Sequence, residues 1–228
     1  MIVSHRHRFI FVKTVKTAST SVEIALSRHC GPDDVITPLS ERDEALRRAE
    51  GGRPPQNHLV PWSEYAPEDV AELATRRHPK AAFFNHIGAR AARERLGAEV
   101  WESYRKLTVE RNPWDKVLSY FHWIQGHDAG RALDELIESG DAFACRGWPL
   151  YTVDDVVAVD TVMRFESLEE ELGAACAALG IDTLGRLPHA KSHFRRDRRS
   201  YREVLTDAQR DTIARACAPE IALMGYRW

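Results

Sequence analysis

Apolar positions along the chain follow two rhythms. Short runs rich in β-branched and aromatic residues occupy 8–12 (RFIFV), 80–86 (KAAFFNH), 107–110 (LTVE) and 159–165 (VDTVMRF). Each is read as a buried strand. Between them lie stretches with helical spacing: 22–29, 67–77, 88–96, 113–125, a segment opening at Ser167, and 206–224. The punctuation agrees. Gly31-Pro32 closes the first helix, and 51–55 (GGRPP) is the clearest loop. Pro67 and Pro113 belong in first turns, Ser167 with Glu170 predicts a capping box, and Pro219 breaks the last helix. Strands alternating with helices predict an α/β fold, a central parallel sheet flanked by helices on both faces. Ligands of such sheets sit beyond the carboxyl ends of the strands.

A length of 228 residues suits a single domain over 1–228, and 43% hydrophobic residues supply its core. The formal net charge of -2 does not announce a nucleic-acid partner, so an anion site must be built locally. The start, MIVSHRHRFIFVK, lacks the apolar run of a secretory signal, and no later stretch reaches spanning length. A cytoplasmic protein without a membrane partner is expected; oligomeric state has no signal in the pattern. Cys30, Cys145, Cys176 and Cys217 lie far apart and form no C-x-x-C pair. They are read as reduced thiols, and no metal site is expected.

Two strand ends carry unusual chemistry. After the first strand come Lys13, then Lys16-Thr17-Ala18-Ser19-Thr20-Ser21, then a helix. Strand, small polar turn and helix make a phosphate-binding geometry: N–H groups at the helix start and its dipole favour an anion, and a lysine stands beside them. The glycines of a Walker loop are absent, which disfavours magnesium-dependent hydrolysis of a nucleoside triphosphate. An ordinary N-cap with a surface lysine would read the same. After the third strand come Arg111-Asn112-Pro113 and, eight positions beyond the arginine, Ser119. A guanidinium and a hydroxyl suit a terminal phosphate; a surface ion pair and a solvated serine are the plain alternative.

Together and in this order the two clusters resemble the sulfotransferases that use 3'-phosphoadenosine-5'-phosphosulfate (PAPS). Residues 16–21 (KTASTS) are similar to the 5'-phosphosulfate loop of that family, in the form used by the uronosyl 2-O-sulfotransferases of heparan-sulfate synthesis. Arg111 to Ser119 resembles the 3'-phosphate motif R-[ND]-P-x-x-R-x-x-S, with Lys116 at the second basic position. RFESL at 164–168, LGI at 179–181, LPH at 187–189 and IALMGYRW at 221–228 resemble the tail of the carbohydrate type. Val15 stands where the family has proline, and Lys191 and His193 replace residues common after L-P-H.

The resemblance implies a P-loop-NTPase-like three-layer fold and sulfuryl transfer from PAPS, with adenosine 3',5'-bisphosphate (PAP) as product and no metal. The partner it implies is an acceptor with a hydroxyl or amine, on a glycan or small natural product. It places Lys16, Thr17, Ala18, Ser19, Thr20 and Ser21 on the 5' side of the cofactor, and Arg111 and Ser119 on the 3'-phosphate. By the same resemblance Lys16 would be the catalytic cation and His86, closing its strand, the catalytic base, with a helix-capping role as its rival; His58 is the second candidate base. Glu110 and Glu166 are read as structural. Trp148, Pro149 and Tyr151 are read as loop-core packing or acceptor pocket, and the basic run 195–199 as a solvated face or an anion contact. A P-loop-like nucleotide kinase and a non-catalytic nucleotide binder are the other classes the sequence leaves open.

Overall fold

The computed structural model describes residues 1–126, 130–181, 186–188, 197 and 199–228. The described residues form seven short strands: β1 Ile2–Ser4, β2 Phe9–Phe11, β3 Val35–Ile36, β4 Arg105–Glu110, β5 Thr152–Val153, β6 Val156–Val157 and β7 Thr161–Arg164. Five form the main sheet in the order β3-β1-β2-β4-β7, and β5 and β6 make a separate hairpin. β2, β4 and β7 run parallel, with Phe9 opposite Arg105 and Leu107 opposite Thr161. β1 is antiparallel to both its neighbours, so the sheet is mixed and only its β2-β4-β7 side is parallel.

Helices α1 Ser19–Ser27, α2 Glu41–Ala49, α3 Pro67–Arg76, α4 Ala89–Ser103, α5 Pro113–Gln125 and α6 Leu133–Glu138 precede α7 Trp148–Tyr151 and α8 Leu168–Ala178. α9 Tyr201–Val204, α10 Asp207–Ala216 and α11 Ala218–Met224 follow. The pleat assigns the faces. Phe9 and Phe11 join Leu107, Val109 and Met163 under Val22 and Leu26 of α1 and Leu172 of α8. Ile10 and Val12, one residue out of phase, pack with Ala89 and Trp101 of α4 and Tyr151 of α7. Each such side chain, wholly buried, stabilises by about 1.5–3 kcal/mol. α5, α6, α10 and α11 share a third core.

Three expectations need correction. Residues 80–86 are not a strand. Ala81 makes a single bridge to Leu59, the N–H groups of Ala82 and Phe83 both donate to the His58 carbonyl, and His86 turns away at φ 60°. Ser167 forms no capping box, because its hydroxyl donates to Glu171 at 2.5 Å and no side chain caps α8. The closing helix divides at Cys217 into α10 and α11, with Pro219 in the first turn of α11, the one place where its missing N–H costs nothing.

From β2 the chain passes through α1 to β3 on one side; after β4 the next strand of the sheet, β7, lies on the other. The carboxyl ends of β2 and β4 therefore flank a topological switch point, where open α/β sheets bind ligands. Among the described residues no helix is long and apolar enough to cross a membrane.

Candidate functional site

The turn after β2 is built from backbone conformations that side chains resist. Lys16 has φ 60° and Ala18, the N-cap of α1, has φ 56°. Hydroxyls hold the turn: Thr14 Oγ1 donates to the Val109 carbonyl at 2.5 Å, and Ser19 Oγ donates to the Thr14 carbonyl at 2.5 Å. No side chain caps α1, so its positive end opens at Ala18.

Of the two lysines in this segment, only Lys16 reaches the cleft. Lys13 lies in the core, its Nζ 2.8 Å from Glu23 of α1. Burial would raise the Glu23 carboxyl, but the Met1 amine, Lys13 and Arg47 outweigh it and hold it down at about 2. Lys13 is thus committed to a buried charge cluster.

The turn after β4 is held by side chains. The Asn112 side chain accepts from the N–H groups of Trp114 and Asp115, and Pro113 opens α5. The Arg111 guanidinium donates to the Lys16 carbonyl at 3.0 Å and to Asp115 at 2.9 Å, and lies 4.1 Å from the centre of the Phe165 ring. The two turns are therefore in direct contact. Glu166 accepts from the Asn112 N–H at 2.8 Å and from the Tyr226 hydroxyl at 3.0 Å. Burial, then the Glu166 carboxylate, push that hydroxyl up, so it stays a donor. The Tyr201 and Trp228 rings pack on Trp114. Much of the tail thus braces the Arg111 turn.

His86, although not in a strand, still reaches the same edge of the sheet. Its Nδ1 is 3.1 Å from the Lys13 carbonyl, just past β2. A carbonyl only accepts, so Nδ1 carries the proton and Nε2 the lone pair. Burial, then the Lys13 charge, push the ring down to about 4, and it is neutral at pH 7.

One cleft of about 1020 Å³ collects these residues. Its lining contains every residue of the KTASTS loop, Arg111, Ser119 and His86. Asn85, Tyr120, Trp123, Phe165 and Glu166 complete much of the wall, with Glu169 and Glu170 on exposed positions of α8. The sequence pattern does not mark Asn85, Tyr120 or Trp123; Trp123, four residues beyond Ser119, shares its face of α5 and stacks on Tyr120. His58 does not line the cleft, and burial pushes its ring down. Trp148, Pro149 and Tyr151 do not line it either; Tyr151 is fully buried in the core. His189, Lys191, His193, Arg195, Arg196 and Arg198 lie outside the described residues. All four cysteines are free and buried, and burial pushes their thiols up to about 11 or 12. Among the described residues no cluster could hold a metal ion.

No family model matches the chain. Among solved structures, the crystal structure of a sulfotransferase from Alicyclobacillus acidocaldarius is similar over 97% of this chain and 96% of that one, with a TM-score of 0.45 and 16% identity. Over 95 residues, 39% of this chain and 78% of the relative, the sequence is 30% identical to an uncharacterized protein of Archaeoglobus fulgidus. By the identity and extent of that second match, the chain belongs to one family with the Archaeoglobus protein.

Proposed function

We propose that the chain is a sulfotransferase that moves a sulfuryl group from PAPS to a hydroxyl, or an amine, of an acceptor such as a glycan or small natural product. The observation that supports this reading is convergence. Two turns distant in sequence, each resembling one phosphate motif of the PAPS enzymes, line one cleft together with a neutral histidine. The cleft, at about 1020 Å³, is at the upper end of small-ligand sites, with room for a nucleotide and an acceptor.

The donor supplies an activated sulfuryl group on its 5'-phosphate. Lys16 and the start of α1 hold that phosphate and stabilise the charge its oxygen gains as the bond to sulfur breaks. Arg111 and Ser119 hold the 3'-phosphate. The acceptor oxygen forms the new bond to sulfur, and its proton passes to Nε2 of His86. The products are PAP and a sulfate ester, or a sulfamate from an amine.

Thermal unfolding with PAP, against ATP plus magnesium, tests the reading. A ligand at a hundred times its Kd stabilises by about 2.7 kcal/mol. PAP should raise the Tm and ATP with magnesium should not; the reverse would support a kinase-like protein. Labelled PAPS with acceptor pools should then yield a sulfated product, undiminished by EDTA.

A further inference from the structure

Beneath the Arg111 turn lies a charge pair that touches no wall of the cleft. Glu110, the last residue of β4, is fully buried, and its Oε1 is 2.6 Å from Nζ of Lys116 on α5, a side chain only 4% exposed. The same Oε1 accepts the Arg111 backbone N–H at 2.8 Å, and the Tyr226 hydroxyl donates to the Glu110 carbonyl at 3.3 Å. Gly147 leaves room for the carboxylate: a Cβ there would stand 2.4 Å from Glu110 Oε2 and 3.2 Å from Lys116 Nζ.

The position of this pair matters more than its strength. A buried ion pair is often no more stabilising than apolar residues of equal volume. Here it joins two elements that carry different ligand-binding groups. Glu110 fixes the backbone of Arg111 at the end of β4. Lys116 lies on α5 one helical turn before Ser119, which shares its face. Resting on the reading of Arg111 and Ser119 as the 3'-phosphate site, we propose that Glu110 and Lys116 are positioning residues. They clamp strand end to helix, set the separation of guanidinium and hydroxyl, and so give the protein its selectivity for a nucleotide phosphorylated at the 3' position.

The test compares PAP with adenosine 5'-monophosphate, which lacks the 3'-phosphate, by calorimetry. The ratio of the two affinities isolates the 3' site. The double variant Glu110→Gln/Lys116→Met removes both charges while keeping volume, so no lone charge is left buried. It should bind the monophosphate as wild type does and lose at least about tenfold of the preference for PAP, the worth of a misplaced charge-assisted contact. Lys116→Arg keeps the cation and should retain the preference. Gly147→Ala, which presses a Cβ on the carboxylate without removing a charge, should lower the ratio even if the double variant does not fold. A folded variant of either kind with a lower Tm but the wild-type ratio would reduce the pair to a packing element and overturn the proposal. If wild type shows no preference for PAP, the assignment of Arg111 and Ser119 fails first, and the two failures are distinguishable.

Discussion

The turns after β2 and β4 stand side by side, yet they differ in build. Around β2 strained backbone conformations are pinned by the hydroxyls of Thr14 and Ser19. Lys16, Ala18 and His86 all have positive φ without being glycine, and no side chain caps α1. Around β4 none of residues 110–116 has positive φ; a side-chain lattice of Glu110, Asn112, Lys116, Glu166 and Tyr226 holds the turn. Positive φ costs an L-residue about 1–2 kcal/mol, and such strain concentrates where a group must be presented to a ligand. Under the proposed function, the contrast would separate a region that acts on the reacting bond from a region that holds the nucleotide. Substitutions near β2 should change rate most, and substitutions near β4 should change affinity.

The largest expected effect belongs to His86. In single-turnover transfer to a hydroxyl with PAPS saturating, His86→Ala should be slower by roughly 10²–10⁴-fold, the usual contribution of a general base, with PAP binding nearly unchanged. The wild-type rate should rise as pH increases through about 4, where the ring loses its proton, and stay level through neutrality. A midpoint near 6.5, the unperturbed histidine value of roughly 6.5, would point to another base. Lys16→Ala comes next, at roughly 10²–10³-fold in rate, as for loss of one electrostatic donor to the developing charge. It should also weaken binding of adenosine 5'-monophosphate, which His86→Ala should leave alone. Equal effects of both variants on binding would dissolve the division between the two regions.

Arg111→Ala should cost PAP affinity at least about tenfold, from loss of a contact worth about 1.5–3 kcal/mol, and alter the rate at saturation little. A rate defect at saturating PAPS with unchanged affinity would place the guanidinium on the reaction instead. The smallest effect is on stability. Ala18→Gly relieves the left-handed strain but adds chain entropy of about 0.5–1 kcal/mol, so Tm should rise by at most a few degrees. Ala18→Val should lower it, since a β-branched residue at φ 56° is strained further. No residue of the β4 turn should respond this way.

What the sequence made legible follows the range of the forces involved. The strand–turn–helix units at β2 and β4 carry local signals: an apolar run, then small polar residues or Asn112-Pro113. Both were readable, and α5 matches its expected bounds. β1 and β3, three and two residues long, are too short to show alternation; pairing across the sheet creates them. The apolar run at 80–86 looked like a strand because composition does not reveal that Phe84 and Asn85 stay exposed. Motif position alone singles out Lys16 over the neighbouring Lys13. The physical ground for that choice is Glu23 on the next helix, a contact no local pattern displays. Likewise, only the fold shows that burial lowers His86 below its ordinary range.

The parallel pairing of β2 with β4 also bears on how the chain acquires its site. Phe9 meets Arg105 across the sheet, so the strand that delivers Lys16 cannot dock beside the strand that delivers Arg111 until about half the chain has been gathered. Long-range parallel pairings form slowly, because the intervening loop must lose its entropy before any contact rewards it. The cleft should consequently form late in folding, after any early intermediate that holds β1, β2 and α1 alone. A nucleotide that needs both turns has nothing to grip in such an intermediate. Its presence should leave the refolding rate unchanged and slow unfolding, and it should protect the finished protein without guiding its assembly.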